Sequence, residues 1–179
     1  MKFIALILFT ACCMLMGCNH QKQTKDVSLV DPARLNEDLI SANKRVVNIE
    51  DQQIRDYISR QGWKMNETGT GLRYLIYHKG NGPKPKQGEI VSFRYETRLI
   101  NGELIYSSKE LGLKTFRVGS GGVESGLEEV VLLLSLGDKA KLVLPSHLAH
   151  GLLGDQNKVP GKASLIYDLE LVEIKQEKQ

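Results

Sequence analysis

The hydrophobic period changes within one stretch, Gly126 to Gly151, and the change divides that stretch into two elements. Leu127, Val130, Val131 and Leu134 recur at i, i+3, i+4 and i+7, which predicts a short helix with one apolar face, stopped at Gly137. From Ala140 the period falls to two. Ala140, Leu142 and Leu144 share one side and Lys139, Lys141 and Val143 the other, a half-buried strand ended by Pro145. A lone amphipathic helix followed at once by such a strand predicts an α+β fold: an antiparallel sheet curled around one short helix, not parallel βαβ units.

Alternation recurs upstream and downstream of this pair. Val91, Phe93, Tyr95, Thr97 and Leu99 form one face of a long strand, with Ser92, Arg94, Glu96 and Arg98 on the other. Asn101-Gly102 predicts a hairpin turn, since both residues tolerate positive φ, and the return strand runs through Leu104, Ile105 and Tyr106. Thr115 to Val118 reads as a further strand, and Gly119-Ser120-Gly121-Gly122 as the turn into the central helix. The last strand, Ser164 to Ile174, places Leu165, Tyr167, Leu169 and Leu171 inward and Asp168 and Glu170 outward.

Nearer the amino terminus, Asp31-Pro32 reads as an N-cap and first helical position, opening a helix through Leu35, Leu39 and Ile40. Asn48 reads as the cap of a second helix carrying Ile54, Tyr57 and Ile58, with Gly62 after it. Trp63 to Met65 and Leu72 to His78 suggest a strand pair across the turn-rich Asn66 to Gly71. The breakers Gly80-Asn81-Gly82-Pro83-Lys84-Pro85 then lead into the main domain.

Length and composition refine this organisation. A chain of 179 residues holds one full domain plus an appendage. Lys2 followed by the apolar run Phe3 to Met16 has the length of an export-signal core and is too short for a confident span. The three cysteines, Cys12, Cys13 and Cys18, lie in or just after that run, so no disulfide framework exists beyond it. Leu15-Met16-Gly17-Cys18 resembles the lipobox of bacterial lipoproteins, which implies acylation at Cys18 and a chain held on a membrane without crossing it. The expected division is a signal peptide over 1–17, a flexible tether over 18–30, a helical appendage with a strand pair over 31–81, and the main domain over 82–179.

Charge and spacing exclude several chemistries. A formal net charge of +3, with no block of Lys and Arg, lacks the footprint of a nucleic-acid binder. His147, His150 and Asp155 lie near one another in sequence without metal-ligand spacing, so no metal is expected. Gly119 to Gly122 lacks the Gly-Lys-Ser/Thr ending of a phosphate loop, and Ser146 beside His147 makes no triad, so no cofactor or nucleophile is expected.

From Gly88 to Lys175 the order of elements and many residues resemble the FKBP-type peptidyl-prolyl cis-trans isomerases. The segments that carry it are Tyr95, Gly102 with Ser107-Ser108, Gly119 with Val123, Gly126-Leu127-Glu128-Glu129, Leu136-Gly137-Asp138-Lys139-Ala140-Lys141-Leu142, Ala149-His150-Gly151, Val159-Pro160 and Asp168-Leu169-Glu170-Leu171. With the lipobox, the appendage and Tyr106 to Leu111, the chain looks most like lipid-anchored FKBP-like proteins of Bacteroidetes, some of them associated with gliding motility.

The resemblance implies catalysis without a nucleophile. Rotation about a peptide bond meets a barrier of about 18–20 kcal/mol from amide resonance, lowered but still slow before proline. A twisted amide has lost its charge-separated form, so an apolar hollow that excludes water favours it over the planar one. Carried over, the hollow is lined by Tyr95, Ile105, Phe116, Val123, Leu127, Val159 and Tyr167, with Leu127 as the floor. The backbone N–H of Glu124 binds a substrate carbonyl, which its charged side chain need not prevent, and His150 takes the place of a tyrosine donor. Tyr106 stands where the family has a buried carboxylate, Leu113 or Lys114 where it has an aromatic, and Lys158 at a usually apolar position. The implied partners are proline-containing unfolded or exported polypeptides at the cell envelope, with the chain anchored to a bacterial membrane, the outer membrane expected, and facing the periplasm. An FKBP-like binding or chaperone module with weakened isomerase chemistry is the alternative reading; oligomeric state is left open.

Overall fold

The computed structural model describes residues 32–176. The signal segment at 1–17, Cys18 and the tether at 18–30 lie outside the described residues. Contacts group Ser41–Gln179 into one compact unit, and residues up to Ile40 into another, of which only the first turns of a helix are described. Among the described residues no helix is long and apolar enough to cross a membrane.

The two short helices expected before Gly62 are one helix, α1 (Pro32–Gln61), of 30 residues. Asn48 was read as a cap, but no Gly or Pro stands between Pro32 and Gln61 to end a helix, and a cap residue acts only where the preceding backbone leaves the helix. The first strand is β1 (Asn66–Glu67), within the stretch expected to turn, and it pairs with β2 (Arg73–His78).

The remaining strands are β3 (Ile90–Leu99), β4 (Leu104–Ser107), β5 (Lys114–Arg117), β6 (Lys139–Leu144) and β7 (Leu165–Lys175). All seven join one antiparallel sheet in the order β1-β2-β6-β7-β3-β4, with β5 also on β3. Two strands share that side of β3. Ile90 to Phe93 pair with β5, and Glu96 to Arg98 pair with β4. The β3–β4 turn is looser than expected from Asn101-Gly102. Leu99 and Glu103 close a three-residue loop in which Gly102 has positive φ, the pattern of a type I turn followed by a left-handed residue.

Two short helices complete the fold: α2 (Ser108–Leu111) and α3 (Ser125–Val131). The sheet curls around α3. Leu127, Val130, Val131 and Leu134 are at most 1% exposed, Leu134 from the turn after the helix. A Cβ at Gly126 would lie 2.6 Å from the Leu144 side chain, so glycine there permits the helix to approach β6 this closely.

The opposite face of the sheet is also covered. Val143 and Ile166, on the side otherwise polar, are buried with Ile54 and Tyr57 of α1, and Trp63 and Met65 pack at the edge. Glu50 of α1 ties the two together by accepting from the Ser146 amide (2.6 Å) and the Ser164 hydroxyl (2.7 Å). The lead-in at Gly80 to Pro85 therefore does not divide the sheet. β2 precedes it in sequence yet pairs with β6, and Leu72 is fully buried in the main core.

Candidate functional site

Between α3 and the inner faces of β3, β5 and β7, the core gathers the residues read from the sequence as a hollow. Tyr95, Ile105, Phe116, Leu127, Val159 and Tyr167 belong to one apolar cluster, with Val123 and Tyr106 packed against it. Phe116 stacks on Phe93 at 5.8 Å between ring centroids, and the Tyr95 and Tyr167 rings are 6.3 Å apart. The two-residue period explains the convergence: Tyr95 and Tyr167 point inward from neighbouring strands, and Phe116 joins them from β5.

The Glu124 side chain, whose direction the sequence does not indicate, turns in among these residues and is buried. Lys114 donates from Nζ to both carboxylate oxygens, at 2.9 and 2.7 Å, and Tyr167 donates its hydroxyl at 2.5 Å. His150 Nε2 lies 3.3 Å from the same carboxylate. The Lys114 ammonium sits over the Tyr95 and Tyr167 rings, 5.8 and 5.7 Å from their centroids, where the ring faces attract a cation. A charge pair occupies the apolar hollow.

Titration behaviour follows from this geometry. Burial pushes the Glu124 carboxyl up, but the Lys114 charge and the hydrogen bonds from Lys114, Tyr167 and its own backbone amide outweigh it and hold Glu124 below the usual glutamate value. Burial, with the Glu124 charge and hydrogen bond, raises the Tyr167 phenol well above its ordinary value, so Tyr167 remains a donor. Burial and the Glu124 charge likewise raise Tyr95.

Tyr106 has a different part. Its hydroxyl donates to Asp155, which also accepts from the amides of Asn157 (2.9 Å) and Val159 (2.8 Å) and so organises the loop before β7. Lys158 lies over the Tyr106 ring and donates to the Ile105 carbonyl at 3.1 Å. Where the resemblance has a buried carboxylate, this chain has a phenol bonded to a carboxylate from the opposite loop.

Two residues of the candidate site escape the sequence reading. Lys114 is expected only as one of two replacements for a family aromatic, although the alternation that turns Phe116 inward also turns residue 114 inward. Asp155 was weighed only as a metal ligand. Among the described residues no group of three His, Cys, Asp or Glu is arranged to hold a metal; His147 Nε2 instead faces the Thr70 carbonyl at 3.0 Å.

An antiparallel sheet of seven strands curled over one short helix, with aromatic side chains converging between them, is the arrangement compared with known proteins. The family model for FKBP-type peptidyl-prolyl cis-trans isomerases matches residues 82–172. The chain belongs to that family. It is 37% identical over 107 residues to FK506-binding protein 4 of Dictyostelium discoideum, covering 60% of this chain and 29% of that one. Over 108 residues it is 39% identical to a probable FKBP-type isomerase, FkpA, of Neisseria meningitidis, covering 60% of this chain and 39% of that protein. The chain thus spans well under two thirds of these relatives. Among solved structures it resembles a peptidyl-prolyl cis-trans isomerase from Pseudomonas syringae, with a TM-score of 0.61 and 27% identity over 74% of this chain and 96% of the other.

Proposed function

We propose that this chain is a peptidyl-prolyl cis-trans isomerase that assists the folding of exported proteins at the cell envelope, with a rate limited by the charge pair in its hollow. The observation that carries the reading is the convergence of Tyr95, Ile105, Phe116, Leu127, Val159 and Tyr167 over α3 in a chain of this family. An aromatic, dry hollow stabilises a twisted X–Pro amide relative to the planar one, and each factor of ten in rate needs about 1.4 kcal/mol of that preference. The substrates are proline-containing polypeptides. Refolding of a protein limited by X–Pro isomerisation tests the activity: acceleration in proportion to added chain is expected, and none at equimolar chain would contradict it.

The lipobox supports a lipid anchor at Cys18 on a bacterial membrane, outer membrane by preference, as in the FKBP-like lipoproteins of Bacteroidetes. A clickable fatty acid should label the wild type and not Cys18→Ala. Retained labelling of that variant would assign the lipid to Cys12 or Cys13.

One feature favours a second reading, a binding module with little turnover. Leu113, next in sequence to Lys114, and Leu152 and Leu153, which follow His150 and Gly151 in sequence, are 47%, 74% and 78% exposed, while Glu124 and Lys114 pair within the hollow. Exposed leucines beside the site suit an extended apolar segment better than they suit catalysis. An equimolar chain that slows aggregation of an unfolded protein without speeding proline-limited refolding would favour this reading.

A further inference from the structure

We propose that Glu124 is an internal ligand of the proline hollow, its carboxylate occupying the place of a bound peptide, so that Glu124 with Lys114 determines which polypeptides gain access. The inference rests on the reading of this hollow as the peptide site.

Glu124 is the residue before the first turn of α3, with extended backbone (φ −57°, ψ 134°) and no side-chain cap on the helix. A glutamate in this position ordinarily projects into water or toward the helix amides. This one does neither. Burying a carboxylate is strongly unfavourable unless partners answer its charge. Here the partners come from three separate elements: Lys114 from β5, Tyr167 from β7 and His150 from the loop after β6. Two donors converging from separate strands on one carboxylate, with an imidazole nitrogen 3.3 Å away, make a receptor, and the chain supplies its own occupant.

The occupied volume is the one a proline needs. The ammonium that neutralises Glu124 lies against the Tyr95 and Tyr167 rings, the aromatic faces on which a proline would rest. With the carboxylate inward, Tyr95, Phe116, Leu127, Val159 and Tyr167 are each 7% exposed or less. Swinging the glutamate side chain outward breaks its bonds to Lys114 and Tyr167, returns the charge to water and uncovers both rings. Peptides that cannot offset the broken Lys114 and Tyr167 hydrogen bonds stay outside.

The experiment uses the full chain, the peptide Ala-Leu-Pro-Phe as probe, and three proteins: wild type, Glu124→Gln, and Glu124→Ile combined with Lys114→Phe. Affinity is read by NMR titration and turnover by cis-trans exchange of the peptide. The double variant should bind at least tenfold more tightly than wild type and Glu124→Gln by a smaller factor. A purely structural role for Glu124 predicts the reverse, weaker binding in step with lower stability. If the double variant does not fold, Glu124→Gln carries the test, because it keeps the shape and removes the charge. Equal or weaker binding by the folded variants overturns the proposal, as does a Glu124 carboxyl carbon resonance that stays unmoved when wild type is saturated with peptide. Variants that bind tightly but turn over nothing leave the internal ligand standing and remove the isomerase reading. Wild type that turns over rapidly while the variants gain nothing does the opposite.

Discussion

Tyr167 on β7 and Glu124 before α3, 43 positions apart in the chain, meet through a 2.5 Å hydrogen bond inside the apolar hollow. That bond joins β7 to the start of α3, because the phenol belongs to the apolar cluster and the carboxylate is buried against it. Removing the hydroxyl should therefore be felt in stability. Tyr167→Phe leaves a buried carboxylate short of one donor, at a cost of about 1.5–3 kcal/mol for a hydrogen bond to a charged group. Urea unfolding measures it; an unchanged midpoint would mean that Lys114 alone satisfies Glu124.

The same carboxylate makes stability depend on pH with a defined sign. Glu124 is held below its ordinary value by Lys114 and Tyr167 despite burial. Its contribution is thus complete above the unfolded-state value of about 4.3 and is lost as pH falls through the lower folded value. The stability advantage of wild type over Glu124→Gln should shrink on acidification below about pH 4.3. An advantage that grows there would contradict the ion pair.

Tyr106 carries a prediction about the loop before β7. Tyr106→Phe removes one donor from Asp155 and should speed hydrogen exchange at the Asn157 and Val159 amides, which the same carboxylate holds. Tyr106→Asp should loosen the loop further, since it brings a second carboxylate near Asp155. Unchanged exchange in both variants would show that the loop is ordered without Tyr106.

The covered outer face of the sheet sets the smallest folding unit. A fragment starting at Gly82 loses β2 from β6 and leaves Val143 and Ile166 without Ile54 and Tyr57. It should unfold without a cooperative transition or precipitate, while residues 41–179, which form one compact unit, should melt cooperatively. Cooperative melting of the shorter fragment at the same temperature would assign the second core no stabilising part.

Much of this was legible from hydrophobic period. Leu165, Tyr167, Leu169 and Leu171 alternate because one face of β7 meets α3, and the short helix announced itself by Leu127, Val130 and Val131. Val143 lies on the side expected, but its burial there with Ile166 was not foreseen, because it depends on α1, about a hundred positions away, covering a face that local pattern marks as polar. The continuity of α1 could have been seen in the lack of breakers between Pro32 and Gln61, but Asn48 imitated a cap. At the site, the resemblance supplied the apolar lining. The inward turn of Glu124 depends on Lys114 and Tyr167 arriving from two strands, a long-range pairing that no local rule reports.

The measurement closest to the central claim is exchange NMR on Ala-Leu-Pro-Phe with a catalytic amount of the full chain. Unaided, the X–Pro bond exchanges over tens to hundreds of seconds, too slowly for cross-peaks at sub-second mixing times. The account predicts cis-trans cross-peaks with wild type, together with peptide-induced shifts at Tyr95, Val123 and Tyr167. Absence of exchange with wild type at equimolar chain, or shifts confined to residues away from α3, would contradict it.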